Sequence, residues 1–378
     1  MKVIVAPDSF KGSLTAIEAA EAMAAGIHDV GPDIRTVLLP AADGGEGTMR
    51  SLVDATNGRY VSVTVEDPLG RPICATYGIL GDGETCAIEI AEASGLMRLQ
   101  EHEKNPHMAS SYGTGELIAH ALDNGYRKFI IGLGGSATND GGAGILQALG
   151  MRLLNKEGIE LPKGGGGLQY ISSIDSTNWD FRIAESEFLI ASDVKNPLVG
   201  SEGASAVFGP QKGAAPRDVD SLDRNLRKFA VAIEKETGIA LHSKEGAGAA
   251  GGAGGAFQAF FNCEMRQGID VVLEAIDFER HVKDADLIIT GEGKTDLQTL
   301  SGKTPFGIAK VAHREGKPVI LISGAVDEES RDALTPLFTQ VHAIMDENVS
   351  VEDAIADAFN YLRRKTKKVM ELITEKGV

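Results

Sequence analysis

The sequence predicts an α/β protein in which one parallel-sheet domain is built from both ends of the chain and a second α/β domain is inserted into it. Three observations carry that prediction. The first 60 residues hold two strand–loop–helix units, too few for a complete doubly wound domain. Residues 60–90 then change to three strands joined by short turns. From about residue 280 the opening style returns and supplies the missing strands, so residues 1–60 and 280–378 form the discontinuous domain and 61–279 the insertion. At 378 residues the chain also exceeds the usual size of one hydrophobic core.

The first strand, residues 3–6, is a short apolar run closed by Pro7. A polar turn with Asp8, Lys11 and Gly12 follows. Thr15 and Glu18 then have the spacing of a capping box, ahead of Ile17, Ala20, Ala24 and Ile27 at a helical period. Residues 35–39 read as the next strand, ending in Asp43-Gly-Gly-Glu46-Gly47, and residues 48–55 fit a helix. The strands of the changed pattern are 60–65, 73–80 and 85–90, with Gly81-Asp82-Gly83 suited to a hairpin turn. A helix at 113–124, a strand at 128–133 and a helix at 140–149 complete a second α/β unit.

Residues 155–182, with glycine at 164–167, look like a connection carrying short elements. Residues 188–191 are a buried-strand candidate leading into Ser192-Asp193, and 216–238 read as a helix. The tract 246–255 has a linker's composition, but the apolar run behind it suggests a packed glycine turn and helix. The tail offers a strand at 287–290, then a helix at 305–314 with Thr304 as N-cap and Pro305 first. A strand at 318–323, a helix near 327–337, a strand at 340–345 and a final helix after Ser350, capped with Asp353, close the chain. There is no internal repeat.

Composition narrows the function. Hydrophobic residues are 43% and charged residues 24%, a globular balance. The formal charge of -17, from 54 acidic and 37 basic residues, disfavours a nucleic-acid surface. The one dense basic run, residues 363–368, reads as a solvated helix face. Three cysteines form no CxxC pair and no disulfide framework. The N-terminal apolar run is too short for a signal peptide, and no stretch reaches the length of a membrane span. The expectation is a soluble cytoplasmic protein with no membrane partner, either monomer or homodimer.

The segment Gly132-Leu-Gly134-Gly135-Ser136-Ala-Thr-Asn139-Asp140-Gly-Gly142 carries the most chemistry. A strand, a turn of glycines and small hydroxyl residues, and a helix present backbone N–H groups to a phosphate. The Asn139-Asp140 pair suggests that a cation or substrate hydroxyl is handled there too. Two Gly-Lys-Thr triplets, at 293–295 and 302–304, fail the P-loop spacing, because Ile288 and Leu297 stand where it needs glycine. Gly132, Gly134 and Ala137 also satisfy a dinucleotide pattern with Glu157 as ribose partner, which keeps a dehydrogenase open. Its preceding strand at 151–154 is weak. A ligand-binding sensor is the other alternative.

Four loops at strand ends set acidic residues beside glycine, lysine or asparagine: Asp8 with Lys11, Asp43 with Glu46, Asp193 with Asn196, and Glu292 with Asp296. Phosphoryl transfer needs these types. Carboxylates hold Mg²⁺, one takes the proton of the attacking hydroxyl, and lysine neutralises the moving group. Hydride transfer requires no such set. The histidines show no metal-ligand spacing.

These motifs together resemble the type I glycerate kinases of bacteria. The matching segments are Ala6-Pro-Asp8-Ser-Phe-Lys11, Ala42-Asp43-Gly-Gly-Glu46-Gly-Thr48, the 132–142 segment, Ser192-Asp193-Val-Lys-Asn196-Pro-Leu198, Val207-Phe-Gly-Pro-Gln-Lys212-Gly-Ala214, and Gly291-Glu292-Gly-Lys-Thr-Asp296. Ser192 and Gly12 depart from the residues, Cys and Glu, that many members carry there. The resemblance implies a flavodoxin-like (Rossmann-like) domain with an inserted domain similar to a restriction-endonuclease core. It also implies transfer of the ATP γ-phosphate to D-glycerate, generally giving 2-phosphoglycerate, with the C3 product left open.

Asp193 falls on the family's proposed general base, and Lys11 would neutralise phosphoryl oxygens. Gly134, Gly135, Ser136, Asn139, Asp140, Lys212 and Glu292 would line the nucleotide site, and Asp8, Arg71 and Asn196 the glycerate site. For Mg²⁺ the candidates are Asp43 and Glu46, or Glu292 and Asp296. A cleft between the two domains that closes in turnover is the expected setting.

Overall fold

The computed structural model describes residues 1–345 and 351–376. It divides into two units, one of Met1–Asp43, Arg50–Asn57 and Gln267–Val378, the other of Gly44–Met49 and Gly58–Arg266. Both are α/β with sheets dominated by parallel pairing.

In the first unit five parallel strands lie in the order Gln340–Ala343, Val319–Ser323, Leu287–Thr290, Lys2–Val5, Arg35–Leu38. Counted along the chain within this unit the order is 2-1-3-4-5. The connections therefore diverge between Lys2–Val5 and Leu287–Thr290, the switch point where open α/β sheets bind ligands. Leu287–Thr290 and Val319–Ser323 are buried at every residue, as strands covered on both faces should be.

The capping box read from the sequence is present. Glu18 N donates to Thr15 Oγ1 at 3.3 Å, and Thr15 N donates to Glu18 Oε2 at 2.8 Å, fixing the start of helix Ala16–His28. Replacing Thr15 by Ala is expected to cost about 1 kcal/mol, read as a lower urea midpoint for the unit. The helix packs against Ala358–Lys376 at Gly26, where a Cβ would strike the backbone of Arg363 and Lys367. The basic run at 363–368 is therefore only partly a solvated face. Arg363 donates to both Asp29 oxygens at 2.6 and 2.7 Å, and Thr366 is buried.

In the second unit the order is Cys263–Arg266, Glu187–Ala191, Lys128–Gly132, Thr85–Glu89, Pro72–Ile79, Arg59–Glu66. The first four are mutually parallel, and the last two complete the sheet as antiparallel neighbours. Phe129 and Phe188, on adjacent strands, stack with ring centroids 4.6 Å apart at the centre of its core.

The structure departs from the sequence expectations in several places. The helix expected at 140–149 begins at Ala143, because Gly141 and Gly142 both take positive φ, 68° and 76°. The helix expected at 305 starts at Thr304 with Lys303 as N-cap, and the Thr304 hydroxyl goes elsewhere. The helix near 327–337 shrinks to a 3₁₀ turn, Glu328–Ser330, and one turn of α-helix, Arg331–Leu334. Strand Cys263–Arg266 was not expected, since an edge strand with mixed exposure leaves no apolar alternation. The single long helix expected after Ser350 is instead two, Val351–Ala356 and Ala358–Lys376; Ser350 itself lies outside the described residues. The tract 246–255 is packed, entering helix Ala253–Phe260.

Candidate active site

In the first unit the loops at the carboxyl ends of the central strands gather carboxylates and hydroxyls. Asp8, half-buried after Lys2–Val5, accepts from Thr304 Oγ1 and from Ser9 N, each at 2.6 Å. Burial pushes this carboxyl up to about 7, and the charges of Asp43 and Glu292 add to the rise against those hydrogen bonds. Glu292, buried after Leu287–Thr290, accepts at Oε1 from Thr295 Oγ1 at 2.9 Å and Thr299 Oγ1 at 2.7 Å. Burial raises it also, chiefly against those two bonds. The Thr295 hydroxyl meets Ser323 Oγ at 2.7 Å, tying the cluster to the end of the next strand.

Lys303 had no role assigned from the sequence, yet its Nζ lies 3.9 Å from Glu292 Oε2 and 3.8 Å from Asp296 Oδ1. The signal was the second Gly-Lys-Thr triplet, which fails as a P-loop but supplies a cation here. Asp296, a metal candidate, N-caps the 3₁₀ turn Leu297–Ser301, its Oδ1 accepting from Gln298 N at 2.9 Å. Lys11 is exposed on the turn after Asp8, and Asp43 is half-buried beyond Arg35–Leu38.

In the second unit the turn after Lys128–Gly132 is built around a buried cation. Lys212, 2% exposed, donates to Ser136 Oγ at 2.9 Å and to Thr138 O at 2.7 Å. Burial pulls its ammonium down to about 7, with the charge of Asp140 acting the other way. Gly135, next to Ser136, takes φ 72° within this turn. Asn139 donates to Ser205 Oγ at 2.9 Å, while its buried Oδ1 accepts no hydrogen bond in the structure. Asp140 is engaged internally, accepting from Ser111 N and Oγ at 2.8 Å, Gly142 N at 3.0 Å and Gly144 N at 3.2 Å. It shapes the turn and the start of helix Ala143–Ala148.

Asp193 is exposed just past Glu187–Ala191, on a loop anchored by Ser192 N donating to Arg266 O at 3.0 Å. Asn196 holds the same loop, its Nδ2 donating to Glu202 O at 2.8 Å. Arg71 does not present an open fork: Nε contacts Asp67 Oδ2 and Nη1 contacts Glu103 Oε1, both at 2.6 Å. These two carboxylates hold the guanidinium well above its ordinary range. Glu46 is exposed and Gly134 is half-buried. Among the described residues no group of three or more His, Cys, Asp or Glu is arranged to hold a metal ion, and no helix is long and apolar enough to cross a membrane.

Parallel strands ending in acidic, hydroxyl-bearing and glycine-rich loops define an α/β protein of the class that takes small ligands at the carboxyl ends of its strands. The glycerate kinase family model matches residues 3–374, so the chain belongs to the glycerate kinase family. It is 49% identical over 369 residues to a glycerate kinase of Bacillus subtilis (strain 168), covering 98% of this chain and 97% of the relative. It is 42% identical to a glycerate 2-kinase of Escherichia coli (strain K12), with the same two coverages, 98% and 97%. A crystal structure from Salmonella typhimurium LT2, provisionally assigned as glycerate kinase 2, superposes with a TM-score of 0.90 at 44% identity, covering 100% of this chain and 99% of that one.

Proposed function

We propose that this protein is a glycerate 2-kinase, transferring the γ-phosphoryl group of ATP to D-glycerate to give 2-phospho-D-glycerate and ADP, in the cytoplasm and in glycerate and glyoxylate use. The buried Lys212 under the glycine turn, in a chain 42% identical to a glycerate 2-kinase, is the observation that carries this reading. A phosphate is the natural ligand of a turn with an enclosed lysine and a strand-to-helix run of small residues.

Asp193 accepts the proton of the C2 hydroxyl as its oxygen bonds to the γ-phosphorus and the bond to the bridging oxygen of ADP breaks. Lys11 offsets the charge of the phosphoryl oxygens, and Lys212, through Ser136 and Thr138, keeps the turn of Gly134 and Gly135 in shape for the nucleotide. Asn139, with an open buried acceptor, takes part in that nucleotide site, and Asp140 positions its turn. Asp8, Asn196 and Glu292 bind and orient; Arg71 would reach glycerate only by leaving Asp67 or Glu103.

The donor set fits Mg²⁺, since it is made of carboxylate oxygens and this ion takes one or two carboxylates together with substrate phosphates. Asp43 and Glu46 would hold it, with Glu292 and Asp296 as the other pair. When bound, Mg²⁺ neutralises charge on the phosphate oxygens. The order 2-1-3-4-5 supports a flavodoxin-like first domain, and we assign the insertion the restriction-endonuclease-like type.

³¹P and ¹³C NMR of purified protein with D-glycerate, ATP and Mg²⁺ tests the reading. The expected result is a 2-phosphoglycerate signal growing with ADP. A 3-phosphoglycerate signal would move the attack to C3, and no phosphorylated product would overturn the reading.

A further inference from the structure

Glu89 belongs to none of the sequence motifs, yet its placement is unusual. It ends strand Thr85–Glu89 with its side chain buried, 4% exposed. Oε1 accepts from Met49 N at 2.6 Å and Oε2 from Gly47 N at 3.2 Å. The segment it grips, Gly44–Met49, carries Glu46 and closes on itself through Thr48 Oγ1 donating to Gly45 O at 2.7 Å.

The same segment rests on the glycine turn. A Cβ on Gly134 would stand 2.8 Å from Gly45 Cα and 3.3 Å from Gly44 O. A Cβ on Gly132 would stand 3.4 Å from Glu89 Cγ and 3.5 Å from Gly44 O. At Gly134 two backbones therefore meet where a side chain cannot intervene, Gly132 lies in ordinary contact beside them, and Glu89 ties one of the backbones down. A buried carboxylate is costly unless its hydrogen bonds are made, and these two amides are the bonds it makes.

We propose that Glu89 is a positioning residue for the reaction: its carboxylate bridges the amides of Gly47 and Met49 and so fixes Glu46 relative to the turn at 132–135. What that fixing serves rests on the proposed kinase reading; the seating does not. Burial pushes the Glu89 carboxyl up to about 7 against the two amide bonds, and the carboxylates of Glu92 and Glu46 face it and add to the rise. The bridge is then strongest above neutrality, where Glu89 is charged, and loosens as protonation removes one acceptor.

The test is Glu89→Gln in the full chain. Its readouts are residue-resolved amide exchange at Gly47 and Met49, and kcat and KM for Mg·ATP and glycerate. Glutamine has one acceptor oxygen, so exchange protection of one amide is expected to fall about tenfold, the equivalent of one hydrogen bond. Across pH 6 to 8 the wild type is expected to gain protection at one of these amides beyond the intrinsic exchange trend, and the variant is not. KM for Mg·ATP is expected to rise or kcat to fall about tenfold. Unchanged protection would overturn the bridge, and lost protection with unchanged kcat and KM would overturn the positioning role.

Wild-type protein that phosphorylates no glycerate would sink the kinase reading alone, because the exchange result stands apart from activity. Should Glu89→Gln fail to fold, Gly134→Ala keeps Glu89 and pushes on Gly45 instead. It is expected to lower protection at the same two amides, and full protection there would overturn the seating.

Discussion

Asp193→Asn is expected to lower kcat by about 10²–10⁴-fold, the span that general-base catalysis contributes, with little change in stability. The substitution keeps size and hydrogen-bonding reach while removing the proton acceptor. Asp193 is exposed beyond the end of Glu187–Ala191, a strand held between Lys128–Gly132 and Cys263–Arg266. Its loop is fixed by its neighbours, through Ser192 N on Arg266 O at 3.0 Å and Asn196 Nδ2 on Glu202 O at 2.8 Å. Because Asp193 is exposed, its change to an amide is expected to alter stability by no more than about 0.5 kcal/mol. Steady-state assay of ADP release at saturating glycerate, beside a thermal melt, checks both halves. Turnover near that of the wild type would remove Asp193 as the base.

Lys212→Met is expected to cost about 10²-fold in kcat, the loss that misplacing a site by about 1 Å can bring, while leaving the fold intact. Two effects on stability oppose one another. Methionine removes an ammonium that burial has desolvated, which stabilises. It also leaves the Thr138 carbonyl without its 2.7 Å donor, at a cost of about 1–3 kcal/mol. The melting midpoint should accordingly shift little.

The pH dependence separates the cases. The Lys212 ammonium is lowered from 10.5 to about 7, so between those values the unfolded chain holds a proton that the folded chain has released. Wild-type stability therefore gains an increment as pH rises from about 7 towards 10.5, and the methionine variant lacks it. Denaturation midpoints at pH 7 and pH 9 measure that difference. Undiminished kcat would take Lys212 out of the reaction, whereas a collapsed midpoint would make it a structural residue.

Periodic segments were legible in the sequence, because burial of one face leaves its spacing in the residues. The stripe at Ile17, Ala20, Ala24 and Ile27 became helix Ala16–His28, and its capping box was readable four residues at a time. Elements set by backbone geometry were not. Nothing in the run Thr138 to Gly144 announces that two positive-φ glycines delay the helix, or that the Asp140 carboxylate is consumed by Ser111, Gly142 and Gly144.

The site follows the same division. Loops with paired acidic residues stand out as motifs, so Asp8, Asp43, Asp193 and Glu292 could be named without coordinates. The role of Thr304 was hidden because its partner, Asp8, stands 296 positions away and is close only in space, and that of Lys303 because its triplet reads as a failed P-loop. Glu89 was hidden for a different reason: it grips main-chain amides, which have no sequence signature.

The glycine tract at 246–255 joins distant loops chiefly by main chain, with the uncharged Thr138 hydroxyl donating to Ala250 O at 3.5 Å beside it. Gly246 N donates to Lys195 O at 3.2 Å, Gly248 N to Asn196 O at 3.0 Å, and Gly141 N to Gly251 O at 2.9 Å. Peptide groups do not titrate, and enclosed ones are little affected by salt. The loop of Asp193 and the turn of Asn139 are thus held in one register by contacts indifferent to acidity and ionic strength. Acid or salt that alters the charge on Lys212 acts on its own bonds to Ser136 and Thr138, while these peptide ties stay made.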